Sequence, residues 1–196
     1  YQGNRSTGSW GWDVTCADSV GDGETVAGAI HEFDMDTLLV TKTEIWEVEG
    51  RVARVWFDLE NVGDEDITDL DVMMGVDPDQ DMSISTGTTF STVNDVNDDA
   101  TIASSVGPTS GRAFLFGICN PDTDQLGHAS SWSSDDDDVG TDYDGLSGDY
   151  SMHWAHWDVD LEAGESASYG FLIAVGEDID IATEAYEEQA EILCTE

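Results

Sequence analysis

RVARVWFDLE, residues 51–60, puts Val52, Arg54 and Trp56 on one side of an extended chain and Ala53, Val55, Phe57 and Leu59 on the other. Period two with one apolar face is the signature of a half-buried β-strand. Just upstream, LLVTKTEIWEVE (38–49) is rich in β-branched residues, and Ile45 and Trp46 flank its centre. Glu49-Gly50-Arg51 is short enough to be a tight turn between the two strands. Downstream, Asn61 to Asp66 (NVGDED) is a second turn, leading into ITDLDVMMGV (67–76) with Ile67, Leu70, Val72 and Met74 as core candidates. The reading is a meander of three consecutive antiparallel strands.

Outward from this centre the chain keeps reading as β. TVAGAIHEFDM (25–35) has short apolar runs and a glycine break, and Thr86–Val93, Thr101–Val106 and RAFLFGIC (112–119) are shorter strands. Asp77–Asp81, Asn94–Asp99 and Asp122–Asp149 read as polar, acidic loops. MHWAHWDVDL (152–161) alternates again, and ASYGFLIAVG (167–176) is the most hydrophobic run, which marks a central strand. The period then changes. IDIATEAYEEQAEIL (179–193) carries Ile181, Ala185, Tyr186, Ala190 and Leu193 at helical spacing, with Asp178 or Asp180 placed to cap it. The expectation is an all-β antiparallel sandwich, jelly-roll-like in size, with one C-terminal α-helix. Residues 1–24, rich in Gly and Ser, read as an extended arm ahead of a sandwich domain at 25–196.

Charge bounds the function. Five Lys+Arg stand against 44 Asp+Glu, a formal net charge of −39 in 196 residues, and Lys42 is the only lysine. Such a chain repels itself, so concentrated salt or bound divalent cations must relieve the repulsion. Nucleic acid as a partner is excluded, and an anionic membrane surface would repel the chain. No apolar run reaches the roughly 18 residues needed to span a bilayer. Seven Trp, six Phe and five Tyr are too large an aromatic payload for a disordered acidic tail. Tyr1 as first residue implies that an N-terminal segment has been removed.

Several residue sets can carry chemistry. Asp77-Pro78-Asp79-Gln80-Asp81 places alternate aspartates on one side of a stretch stiffened by proline, a set of hard oxygens suited to calcium. Asn94 and Asp95 offer completing oxygens, and Asp142 and Asp144, in Asp142-Tyr143-Asp144-Gly145, with Asp149 resemble a truncated calcium loop without the EF-hand frame. Against all of these stands plain acidity, which yields D-x-D by chance. His153 and His156 lie three apart and so point to opposite faces of a strand, which disfavours a shared metal; His128 completes that set. Glu32, Asp34 and Asp36 line one strand face, and Glu32-x-Asp34 faintly resembles the E-x-D-x-x-E pattern of the jelly-roll glucanases, but Thr37 stands where its last acid belongs; no G-x-S-x-G occurs, so no enzyme is expected. Trp46 and Trp56 suit core packing, and Trp132, in a Ser- and Asp-rich loop, is the tryptophan most suited to stack on a sugar ring.

Three cysteines without a C-x-x-C suit one long-range disulfide, first Cys119 with Cys194, leaving Cys16 over. Asn4 opens the one N-glycosylation sequon. Trp10 and Trp12 share one side of the arm, placed to enter a neighbouring copy by strand addition.

VEGRVARVWFDLENVGDEDITDLDV, then VDPDQD and NDV, and later LEAGESASYGFLIAVGED, resemble β-sandwich modules of large secreted bacterial surface proteins, with their N-x-G-D turn between strands. The resemblance covers residues 44–98 and 158–178. It implies an extracellular structural or adhesive role and carries no catalytic residue. With the charge, the expected function is a calcium-stabilised subunit of a surface assembly or filament, polymerising with copies of itself. The alternatives are a carbohydrate-binding module with glycan partners and a salt-adapted secreted domain of a halophile. The last would follow monovalent salt and ignore chelators.

Overall fold

Alternation at residues 51–60 does produce a strand, and it lies near the middle of a large sheet. The computed structural model describes residues 14–15, 26–35, 37–47, 50–81, 91–118, 125–130 and 145–193. In chain order the strands are β1 (Val14–Thr15), β2 (Val26–Met35), β3 (Leu38–Glu47), β4 (Val52–Asn61), β5 (Ile67–Val76), β6 (Thr92–Val96), β7 (Ile102–Val106), β8 (Ala113–Ile118), β9 (Gln125–Ser130), β10 (Leu146–Gly148), β11 (Tyr150–Leu161) and β12 (Ser166–Gly176), followed by the helix α1 (Ile179–Leu193). Nine of them form one antiparallel sheet in the order β1-β2-β3-β4-β12-β8-β7-β6-β10, and three form a second in the order β5-β11-β9. The all-β sandwich with one C-terminal helix is the architecture observed.

Alternation assigns the two faces of the large sheet. Val55, Phe116, Ile118 and Phe171 point toward the small sheet and pack on Leu126, Met152 and Trp154 from it. Their odd–even partners Leu115, Leu172 and Ala174 point the other way and bury Ala182 and Tyr186 of α1. The molecule is therefore three layers deep at β8 and β12: helix, large sheet, small sheet. β12 has neighbours on both sides and cover on both faces, which explains its unbroken hydrophobic run. Asp178 caps α1, its Oδ1 accepting the Ile181 N–H at 2.9 Å.

Three expectations are corrected. β3 and β4 pair as expected, but β5 leaves for the small sheet and pairs with β11, so the true meander is β2-β3-β4. Asn61 fastens the turn at which the two strands part. Fully buried, it donates from Nδ2 to the carbonyls of Glu65 at 2.9 Å and Leu161 at 3.0 Å, while its Oδ1 accepts the Gly63 N–H at 3.0 Å. The turn is thus fastened to the end of β11 instead of folding back on β4. The acidic stretch 122–149 is not only loop, since β9 and β10 lie within it. Asn94 and Asp95 likewise sit on β6 and not in a loop.

β11 and β5 slip register between His156 and Val159 and again before Leu161. Asp69 and Asp158 occupy the left-handed region there, at φ 55° and 56°, which aspartate tolerates better than most residues. Facing carboxylates brace the slip: Asp69 N–H donates to Asp160 Oδ1 at 3.2 Å, and Asp158 N–H to Asp71 Oδ1 at 3.4 Å.

Candidate functional site

Pairing register lays Lys42 of β3, Phe57 of β4 and Tyr169 of β12 in one row on the inner face of the large sheet. The row begins in the core and ends near solvent. Trp154 and Phe171, both buried, meet edge to face at 4.7 Å between centroids. Phe171 meets Phe57 at 5.9 Å, and Trp154 meets Tyr169 at 5.2 Å. His156, on β11, completes the layer 5.0 Å from Tyr169. Phe57, Tyr169 and His156 are half-buried. At the open end Lys42 Nζ lies 2.5 Å from Glu44 Oε1 and 5.7 Å from the Phe57 ring centroid. Trp46 follows Glu44 at strand spacing on the same face and, against the expectation of core packing, is 39 % exposed. The result is an apolar aromatic floor ending in one ion pair and one exposed indole.

A second cluster sits where β5 ends. Asp77, Asp79 and Asp149 bring carboxylate oxygens within 4.8 Å of one another, with buried Pro78 fixing the spacing between the first two. Two oxygens that both ligate one calcium at 2.3–2.6 Å are at most about 5 Å apart, so the spacing suits a shared ion. Partial burial, then the charge of Asp149, raises the Asp77 pKa above its ordinary value. Burial, then Asp77 and Asp149, raises that of Asp79. Asp81 is used elsewhere. Buried, it accepts the Thr109 N–H at 2.7 Å and the Ser110 N–H at 3.1 Å. Hydrogen bonds from the Ser110 side chain outweigh burial and, with those from Thr109, hold its carboxyl below the usual range.

Of the other expected ligands, Asn94 is buried in a polar network: its Oδ1 accepts from Thr92 Oγ1 at 2.9 Å and Ser105 Oγ at 2.7 Å. Asp95 is exposed on β6 opposite Ser104. His128, fully buried and 3.5 Å from Ser105 Oγ, has its pKa pushed down to about 4, chiefly by burial and further by neighbouring His153. His153 Nε2 lies 2.6 Å from Ser151 Oγ. Glu32 and Asp34 lie on β2. Asp142, Asp144, Asp36, Asn4, Trp10, Trp12, Trp132, Cys16, Cys119 and Cys194 lie outside the described residues. Val14–Thr15, inside the stretch read as an arm, pair with β2 of the same chain.

The sequence groups Asp149 with Asp142 and Asp144, whereas the structure brings it to Asp77 and Asp79; the Lys42–Phe57–Tyr169 row is absent from the sequence expectations. A cross-strand row spans 127 positions, from 42 to 169, and no local pattern shows it.

No protein-family model matches the chain, and no curated protein is similar to it in sequence. Solved structures do share its fold. A heparan sulfate lyase, HepC, from Pedobacter heparinus superposes with a TM-score of 0.50 at 8% identity, over 83% of this chain and 21% of that one. A polysaccharide lyase superposes with a TM-score of 0.51 at 13% identity, over 88% of this chain and 24% of that one. The chain thus spans between a fifth and a quarter of these enzymes, and the likeness is one of β-sandwich fold.

Proposed function

We propose that this chain is an extracellular β-sandwich module that binds glycan and carries no catalytic group of its own. The observation that supports it is the row Lys42–Phe57–Tyr169 with Trp46 exposed at its end. Aromatic faces offer the C–H surfaces of a sugar ring a place to stack, and an adjacent ammonium–carboxylate pair supplies donors and acceptors for hydroxyls. The similarity to a piece of two enzymes named for polysaccharides supports the same class of ligand. Titrating the protein with neutral oligosaccharides while following tryptophan fluorescence tests the reading. Binding should quench Trp46, and Trp46→Ala should weaken it about tenfold, the loss of roughly 1.4 kcal/mol of ring contact. Binding that Trp46→Ala leaves unchanged would remove this face from the function.

A second element concerns stability. Asp77, Asp79 and Asp149 favour a divalent cation, calcium, which would tie the end of β5 to the turn between β10 and β11. Their raised pKa values reflect partial burial and crowded like charge, which a cation relieves. Calorimetric titration of chelator-stripped protein with calcium should show a site that Asp79→Asn abolishes.

A further inference from the structure

We infer that the Lys42–Glu44 pair makes the aromatic row selective for uncharged sugar hydroxyls and hostile to uronate or sulfated saccharides. The inference rests on the glycan-binding reading above and assigns its ligand class. Lys42 is the only lysine of a chain with net charge −39, and it stands on the inner face of the sheet beside the aromatic row. Its side chain is only 21% exposed and that of Glu44 28%, so both heads work in partly desolvated surroundings where hydrogen bonds discriminate strongly. The ammonium has three donors, and Glu44 Oε1 takes one. A vicinal diol can accept from the ammonium with one hydroxyl and donate to the carboxylate with the other. The pair itself is neutral, so such a ligand meets no net charge.

An anionic saccharide meets a different site. Its carboxylate or sulfate can address Lys42 only by approaching Glu44, whose oxygen is 2.5 Å from the same nitrogen. It must also enter the field of a molecule with 44 acidic residues. Trp46, 39 % exposed, supplies stacking surface, and among the described residues no arginine stands in this row. The expected ligand class therefore departs from the sulfated polymer named for one of the fold relatives.

Binding of neutral and of uronate or sulfated hexasaccharides is measured by calorimetry at one fixed ionic strength, with the Trp46 indole proton followed by NMR in the wild-type protein. The neutral ligand should bind at least about tenfold more tightly. Lys42→Met keeps the stem over Phe57 and should weaken neutral-ligand binding about tenfold. Glu44→Gln keeps the shape, removes the negative charge, and should narrow the gap between the two ligand classes, an effect that a merely structural role would not give. Equal or tighter binding of the charged saccharide by wild type overturns the inference and leaves the glycan-binding reading in place. An unmoved Trp46 resonance with either class overturns that reading, and the inference with it.

Discussion

At His128, burial alone gives a pH dependence whose sign can be worked out. The folded pKa is pushed down to about 4, whereas an exposed histidine titrates near 6.5. Between those values the unfolded chain binds more protons than the folded one. Stability is fully present above pH 6.5 and is lost as the pH falls toward 4, by roughly 3 kcal/mol in all. Denaturant unfolding across this range should show a steeper acid loss for wild type than for His128→Gln; parallel curves would contradict the assignment. Asp77 and Asp79 act in the opposite sense, because their raised pKa values make deprotonation costly in the folded state. Asp81 separates from them again. Asp81→Ala leaves two backbone N–H groups without their acceptor and should cost about 1–3 kcal/mol while leaving the calcium response intact. Asp79→Asn should do the reverse, removing the calcium response at little cost in chelator. This contrast also marks how far the site was legible. Asp77 and Asp79 stood out by their spacing, but spacing also promoted Asp81. Local alternation gives a side chain's direction and not which distant segment returns to meet it, so Asp149 read as part of the 142–149 loop and not as a partner of Asp77 and Asp79, and Asp81 is held by the 109–110 turn.

Among the elements, α1 depends on a missing side chain in β8. A Cβ on Gly117 would lie 2.3 Å from the Tyr186 ring, so the helix seats only because that position is bare. Tyr186 is buried there, which pushes its pKa up to about 12. Gly117→Ala should therefore destabilise by roughly 1–3 kcal/mol through overpacking, and most of that cost should vanish when Tyr186→Leu is added, as a double-mutant thermal-unfolding cycle would show. Strong patterns made α1, β4 and β12 readable from sequence: helical spacing in 179–193, alternation in 51–60, and the apolar run in 167–176. Two elements were not readable in the same way. β9, Gln125–Ser130 (QLGHAS), has small and polar residues because it lies against the buried polar network of Ser105 and His128, and so it lacks the aliphatic signature of a strand. β5 has that signature, but its partner β11 lies about 80 positions away, and the Asn61 contacts that fasten the turn to it come from one side chain in a turn that resembles any other acidic turn.

For the whole molecule the question is which ions keep a charge of −39 folded. Ion pairing within the chain contributes little. Arg51 and Glu177 approach only to 3.9 Å with both side chains well exposed, and five basic residues cannot offset 44 acidic ones. Diffuse repulsion and the Asp77–Asp79–Asp149 cluster respond to salt differently. Diffuse repulsion is screened by any salt as the Debye length shrinks from about 10 Å at 0.1 M to about 3 Å at 1 M, so the melting temperature should climb steadily with sodium or potassium chloride. A calcium site saturates: at 100 times its dissociation constant it adds about 2.7 kcal/mol, which for a chain of this size is roughly 5–10 °C. The expected result is two separable increments. One is gradual, insensitive to chelator and shared by Asp79→Asn; the other appears at low calcium, levels off, is removed by chelator and is absent from Asp79→Asn. If calcium and sodium chloride of matched ionic strength gave the same melting temperature, the cluster would be one more part of the repulsive surface. The acidity would then be chemistry of salt adaptation alone, and the aromatic row with Lys42 would remain as the molecule's binding feature.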